Sequence, residues 1–454
     1  MRMEKDVEIG TPSLTIEIIS NRLIDIEKKH GLLDVEINGV KIWQALRMQI
    51  FLEVGLKTGC YEVPHTIKDS PLDRVKAAGS FARSVLFHNT YFGGGGKEIL
   101  VFDHNRKVRI GGEFIDIHTK YFIDDLLKRG ASFEVYERPY MNRHYSKNEP
   151  YRRHLDIILI LTTLYGMLFP SRINAADRRF LARLRSEIGS AFRIDIDLVK
   201  MFSKEIARFR IKYRLLSALL KKKGAREVYM VVGYGEAPLI KAARDLGVTS
   251  IEFQHGIFSE YALGYHYPSV SKNSLEYFPD RIYVWDDYWK DMCELPLTDD
   301  RIVTYGFQHL LKTREAYRHI SKNERQIIVI SQGIAGPKMS DIILDNIDDL
   351  KDYTIVYKLH PGEYDRWRQY ESLVRLSGYD NVKVIDNNEI PLYRLLAESR
   401  FLIGLSSTVI FEALSFDCTI LLVDLPGIEH MKKLIGAGKA TKIESGEKIV
   451  GYLK

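Results

Sequence analysis

A histidine closing a buried strand and a run of hydroxyl residues opening a helix are the residue types from which a phosphate site is built. They occur here as Lys358 and His360-Pro361-Gly362, and as Ser406-Ser407-Thr408 followed by Glu412 in the same helix. Pro361 restricts His360 to extended dihedrals, and Gly362 permits a sharp turn or a close approach of backbone to ligand. Amides free at a helix start, with serine and threonine hydroxyls beside them, attract anions. Each stretch follows a short apolar run that reads as a parallel strand, and ligands of open α/β sheets sit beyond the strand ends. A third strand end, Ser331-Gln332-Gly333, brings a glycine-bearing loop to the same edge. The expected occupant is a nucleotide or another phosphate ester.

A second strand-end histidine stands in Gln254-His255-Gly256. Imidazole, titrating ordinarily near ~6.5, can take a proton from an acceptor hydroxyl at neutral pH. The candidates for that base are His255, Glu236, Glu113 and Asp116, with His255 preferred because its strand should end at the cleft opposite His360. On the other side, Lys358, His360 and the Ser406 to Thr408 turn would stabilise a departing phosphate. No compact Asp-x-Asp pair closes a strand; Asp286-Asp287 and Asp299-Asp300 read as helix-start and turn acids. Cys60, Cys293 and Cys418 lack metal-ligand spacing and suit a reducing compartment. The chemistry is therefore expected to need no metal and no cofactor, the nucleotide serving as part of the substrate.

The elements that must position these residues alternate regularly. Strands at Glu98 to Asp103, Ser132 to Tyr136, Val228 to Val232, Ser250 to Phe253 and Arg281 to Trp285 are separated by helical patterns, and a second series begins at Gln326. Such alternation predicts α/β architecture with doubly wound parallel sheets. Two Rossmann-like lobes are expected, residues 97–307 on the acceptor side and 325–430 on the nucleotide side, with the cleft between them. A helical appendage (1–92) precedes them, a helical insertion interrupts the first lobe at about 140–225, and a segment at 431–454 follows. Gly111-Gly112-Glu113 is read as leading into a helix that runs to about Leu127.

The 454 residues suffice for two or three domains, and 45% hydrophobic with 11% aromatic residues supports folded cores. The charge balance, 66 basic against 60 acidic residues for a net +6, is too mild to indicate nucleic acid. Leu155 to Pro170 is the most apolar stretch. As a helix it spans about 24 Å, short of the ~30 Å bilayer core, and Asp156 interrupts it. With Arg152, Arg153 and Arg172 around it, the segment is either a buried helix or one lying on anionic lipid. The start of the chain lacks a signal-peptide pattern, so a cytoplasmic location is expected, peripheral to the inner membrane face if the lipid reading holds.

Taken in order, Gln254-His255-Gly256, His360-Pro361 and Ser406-Ser407-Thr408 on two successive lobes resemble the GT-B glycosyltransferases of bacterial surface and capsule polysaccharide synthesis. Kdo transferases of capsule type and the His-Pro sialyltransferases are the nearer likeness, and the CDP-glycerol glycerophosphotransferases a more distant one. The resemblance covers about Glu98 to Asp424. It implies a CMP- or CDP-linked donor, with His360, Ser406 and Ser407 on its phosphate, Glu412 near the nucleotide and His255 in catalysis. It further implies a glycan or lipid-linked acceptor. Two departures stand out: no aromatic residue separates Gln254 from His255, and the acidic motif of the sialyltransferases has no counterpart. A nucleotide-sugar 2-epimerase, a polyol-phosphate transferase and a non-catalytic nucleotide-binding scaffold are the alternatives.

Overall fold

A computed structural model describes residues 14–61, 71–110, 112–140, 143–145, 149–333, 335–444 and 446–453, the side chains of 71–75 excepted. Gly111 and the first part of the expected appendage lie outside them. In the first lobe the strands are β1 (Ile99–Phe102), the hairpin pair β2 (Val108–Ile110) and β3 (Glu113–Ile115), β4 (Phe133–Glu137), β5 (Arg152–His154), β6 (Glu227–Val231), β7 (Thr249–Phe253), β8 (Arg281–Val284) and β9 (Ile302–Thr304). Seven of them form one parallel sheet in the order β5-β4-β1-β6-β7-β8-β9, with β2 and β3 pairing apart. The second lobe contributes β10 (Asn323–Ile330), β11 (Thr354–Lys358), β12 (Val382–Ile385), β13 (Ser399–Gly404), β14 (Thr419–Val423) and β15 (Thr441–Ile443). They run parallel in the order β12-β11-β10-β13-β14-β15. Leu100, Val101, Ile328, Val329, Leu402 and Ile403 are fully buried, as expected of apolar runs covered by helices on both faces.

Each sheet thus has the doubly wound order, in which the first strand lies beside the fourth and the winding reverses between them. The reversals fall between β1 and β6 and between β10 and β13, and a crevice opens beyond the strand ends at such a point. The loops delivered there are Asp103 to Arg106, Val232 to Glu236, Ser331 to Gly333 and Leu405 to Ser407. Val232 occupies the left-handed region (φ 67°), a strained conformation for a β-branched residue.

The helices Ile16–His30 and Ile42–Lys57 pack onto the body of the protein. They share one core with the inserted helices Ala175–Phe192 and Leu198–Lys223, built from Ile19, Trp43, Ile50 and Phe51 against Leu181, Ile188, Phe202 and Ile206. Each such side chain contributes roughly 1.5–3 kcal/mol on full burial. Within this body Glu27 accepts from Trp43 Nε1 at 2.7 Å and from Arg47 Nε at 2.6 Å, and Arg47 donates onward to the His266 carbonyl at 2.8 Å. The helical body is thereby fixed to the loop after β7.

Three expectations change. Gly112 and Glu113 belong to the β2–β3 hairpin rather than a helix start, and the helix begins only at Lys120. The second sheet continues past 430 to β15. The apolar segment forms the helix Asp156–Leu168, but it is not buried: Ile160, Leu161, Leu164, Tyr165, Met167, Leu168 and the following Phe169 are exposed. Among the described residues no helix is long and apolar enough to cross a membrane.

Candidate active site

A cavity of about 230 Å³ lies where the two lobes and the N-terminal helices meet. Ile16, Met48, Phe51 and Tyr61 form its apolar wall; Tyr234, His255, Gly256 and Tyr265 come from the first lobe; Gln332, Ser406, Gly427 and His430 come from the second. The lobes are joined beside it by a hydrogen bond between Ser259 Oγ and His430 Nδ1 (2.7 Å) and by an apolar core that places Trp289 against Phe411, ring centroids 4.5 Å apart. Of the two strand-end histidines, His255 lines this cavity and His360 does not.

His255 is the last histidine of a cluster. Its ring lies 6.4 Å from that of His104, which in turn meets His118 edge-on at 5.7 Å. Asp116 organises this cluster, accepting from the His104 amide (2.7 Å), the His118 amide (2.9 Å) and Thr119 Oγ1 (2.7 Å). A carboxylate with three donors is a turn anchor, and burial, which raises its pKa, is outweighed by Lys107, His118 and those donors, leaving it lowered. Burial, with His118 and His104 adding to it, lowers His255 to about 3. The ordinary imidazole value therefore does not apply, and His255 is neutral near pH 7. Its Nδ1 meets the Tyr265 hydroxyl at 3.0 Å, and that hydroxyl bonds the buried Glu252 at 2.6 Å.

In the second lobe Gln332 bridges the switch point. Its Nε2 donates to the Ser406 carbonyl at 3.0 Å and its Oε1 accepts from the Ser406 amide at 3.2 Å. Gly427 (φ 111°) passes so near that a Cβ would lie 2.9 Å from Ser406 Oγ. Ser407 caps the short helix Thr408–Leu414, its Oγ accepting from the Val409 amide at 3.3 Å. His360 accepts from the Gly362 amide through Nδ1 (3.1 Å), and its own amide donates to Glu363 Oε2 (2.9 Å), so that Pro361 and Gly362 close a tight turn. Ser331 Oγ donates to the other oxygen of Glu363 at 3.0 Å, and Gly333 lies next to the His360 ring, its carbonyl accepting from Arg366 at 3.0 Å. His360 is lowered by burial and by the charges on Arg106 and Arg366. Arg106 belongs to the first lobe, so its charge acts on the second lobe from across the cleft.

Other candidates are engaged elsewhere. Lys358 donates to the Tyr364 hydroxyl (2.7 Å), the Asn387 carbonyl and Asn388 Oδ1 (3.3 Å), which fixes the loop after β12; burial lowers it to about 8. Glu412 is buried behind its helix with Tyr393 and Thr408, and burial raises it. Glu236 is paired with Arg138 and with Lys212 (3.2 Å), which overcome burial and lower it. Glu113 is exposed on the hairpin.

One group of side chains has the composition of a metal site: His144, His154 and Asp156 bring ligand atoms within 4.8 Å of one another. His144 is instead satisfied as a cation, bonded to Asp156 (2.7 Å) and Glu137 (3.2 Å), which outweigh burial and raise it to about 9. Its ring is stacked on His154 at 3.5 Å, and none of these residues lines the cavity.

Sequence reading missed Glu252, Tyr265, Arg106 and the N-terminal wall. Glu252 did leave a signal, an acid inside an otherwise buried parallel strand. Arg106 and the wall residues left none, since an exposed loop arginine and apolar helix positions are common.

No family model matches the chain. A curated relative, the uncharacterized protein MJ1060 of Methanocaldococcus jannaschii, is 26% identical over 179 residues, 37% of this chain and 30% of its own length, so the chain spans under a third of that relative. Among solved structures, MurG from Acinetobacter baumannii aligns over 79% of this chain and 88% of its own with TM-score 0.47 and 11% identity. UDP-GlcNAc 2-epimerase from Methanocaldococcus jannaschii aligns over 78% and 90% with TM-score 0.46 and 10% identity. The strand orders of this chain by themselves define two doubly wound lobes.

Proposed function

We infer that the protein is a glycosyltransferase that moves a sugar from a nucleotide-activated donor to a glycan or lipid-linked acceptor. The observation that carries this reading is one cavity reached by strand-end loops of both lobes, with a strand-end histidine on one side and the Gln332–Ser406 bridge on the other. The donor phosphate is assigned to the space between Arg106, His360 and the Ser406-Ser407 turn. There a guanidinium, an imidazole and hydroxyls supply the charge and hydrogen bonds that a departing phosphate needs. His255 is assigned to the acceptor hydroxyl: the proton passes to the imidazole as the new glycosidic bond forms and the bond to the nucleotide phosphate breaks. A CMP- or CDP-linked donor is favoured by the His-Pro and Ser-Ser-Thr resemblance.

A thermal-shift series with CMP, CDP, UDP, GDP and ADP tests the donor. A ligand at 100 times its Kd stabilises the fold by ~2.7 kcal/mol, enough to rank the five. Selective stabilisation by a cytidine nucleotide, lost in His360→Ala, is expected; an equal or uridine-selective response would remove the cytidine assignment. Incubation with a nucleotide sugar and no acceptor separates transfer from epimerisation, because only an epimerase releases the epimer.

The exposed helix Asp156–Leu168 supports a second component, peripheral binding to anionic lipid. It packs against the helix Pro71–Phe87, whose Leu86 and Phe87 are themselves 64% and 68% exposed. Arg83 and Arg172 are exposed near its ends. Apolar side chains entering the headgroup region beside cations match an anionic bilayer. Flotation with phosphatidylglycerol vesicles should carry the protein upward, less so in high salt. Leu164→Glu with Leu168→Glu should abolish it, and equal flotation by that variant would exclude this surface.

A further inference from the structure

Glu252 has no role in the reaction as described, yet it is fully buried in β7. An ionisable group in such a place must be paired, hydrogen-bonded or neutralised. Among the described residues no lysine or arginine forms an ion pair with it; Oε1 accepts from the Tyr265 hydroxyl at 2.6 Å, and Oε2 lies against Gly233, where a Cβ would collide with it. The second partner of Tyr265 is His255 Nδ1 at 3.0 Å, with Nδ1 itself 3.9 Å from Glu252 Oε1. Tyr265 thus stands between a buried carboxyl and the histidine of the cavity.

A tyrosine hydroxyl has one hydrogen, so it can donate to only one of these neighbours at a time. While Glu252 is ionised, the hydroxyl must donate to it. His255 then carries its hydrogen on Nδ1, donates to the tyrosine oxygen and keeps a bare Nε2. Once Glu252 is protonated, its O–H donates to the tyrosine oxygen and the hydroxyl turns to donate to Nδ1. The imidazole hydrogen then resides on Nε2. The three groups together gain one proton from solvent, and the ring exchanges one N–H for the other without becoming charged.

We propose that Glu252, acting through Tyr265, decides which ring nitrogen of His255 carries the hydrogen, so that His255 presents a proton-accepting Nε2 to the cavity only while Glu252 is ionised. Burial raises Glu252 to about 7, which puts the change of state in the neutral range. His255, lowered to about 3, stays neutral throughout, so the tautomer is its variable. The groups facing the pair do not replace this control: burial lowers His104, His118 and His430 and raises Tyr234 to about 12, while Tyr267, with Arg47 over its ring, is raised by burial as well. Glu252 is a positioning residue in this arrangement, and His255 is the catalytic one. The assignment rests on the transfer reaction only for its consequence, since the tautomer exists with or without substrate.

The test is nitrogen NMR of the full-length protein with ¹⁵N-labelled histidine, recorded from pH 5.5 to 8.5, with His255→Gln to assign the signals. The expected result is an Nδ1–H ring above about pH 7 and an Nε2–H ring below it. Glu252→Gln and Tyr265→Phe should each hold one tautomer at every pH. In transfer assays kcat should fall on the acid side of neutrality in the unaltered protein, and Glu252→Gln should remove that limb while leaving the Kd of the donor nucleotide unchanged. A His255 tautomer constant over the whole range, or a switch that survives Glu252→Gln, would overturn the proposal. A switch that behaves as expected in a protein whose turnover ignores His255→Gln would uphold the relay and remove the transfer reading instead. If Glu252→Gln fails to fold, Tyr265→Phe serves in its place, since a switch that survives the loss of the intervening hydroxyl overturns the relay equally.

Discussion

His360 and His255 have the same sequence context, a histidine closing a parallel strand, and differ in their surroundings. His360 is held below the usual histidine range by burial, Arg106 and Arg366, so it is largely neutral near pH 7. A phosphate beside it favours the imidazolium, so nucleotide binding should take up a proton. Affinity for a cytidine diphosphate diester should then strengthen as pH falls from 8 toward 6, by up to about tenfold per pH unit. Calorimetry in buffers of different ionisation enthalpy reads the proton directly, and a pH-independent Kd would show that His360 does not touch the phosphate. His255→Ala should instead lower kcat by roughly 10²-fold or more with donor Kd unchanged. Both histidines were legible because glycine and proline punctuate their strand ends. The low pKa of His255 was not, since it comes first from burial in the folded chain and then from His118 and His104, which arrive from elsewhere in the sequence.

Among the connecting elements, the turn at Gly427 and the buried pair behind β4 set the tolerances. Alanine at 427 would meet a left-handed backbone and Ser406 Oγ together. A cost of about 1–3 kcal/mol is expected from the backbone alone, with weakened nucleotide binding because Ser406 must shift. Urea unfolding and a nucleotide titration of Gly427→Ala measure the two effects separately. Lys223 closes the long helix Leu198–Lys223 with its ammonium 2.7 Å from Glu134 Oε2, both side chains essentially without solvent contact. Lys223→Met should cost up to about 3 kcal/mol, since Glu134 loses its nearest cation and keeps Arg153 at 3.4 Å and the Tyr136 hydroxyl at 2.7 Å, and adding Glu134→Gln should recover part of the loss. Strands with continuous apolar runs were legible in the sequence, as was the serine turn. The β2–β3 hairpin was not, because three-residue strands carry too little periodicity to distinguish Glu113 at a strand from Glu113 at a helix start. The short edge strands β5 and β15 escaped for the same reason: Arg152 to His154 and Thr441 to Ile443 owe their extended form to the neighbouring strand.

Across the molecule, the two-lobed plan followed from the alternation of strands and helices, whereas the N-terminal wall of the cavity did not. Ile16, Met48 and Phe51 sit on amphipathic helices whose pattern says that they pack, not against what. The structure places them over both lobes, with Glu17 bonded to Lys432 at 2.6 Å and to the Tyr261 hydroxyl at 3.1 Å. Lys432 and Glu17 are 52% and 38% exposed, so Lys432→Ala should change stability by no more than about 1 kcal/mol in thermal unfolding. A larger loss would mean that this contact, rather than the shared helical core, fastens the helices.

The same contact joins positions 415 residues apart. Bringing such distant points of a free chain together costs about 5 kcal/mol of loop entropy on the (3/2)RT ln n scale, and nothing local rewards it in advance. On a ribosome the first helices emerge long before Gly427 and His430, and wait exposed or packed only on the first lobe until the last sheet is made. The chamber between the lobes therefore forms only once the chain has been made past His430, and a chain shorter than that has no enclosed space between its lobes.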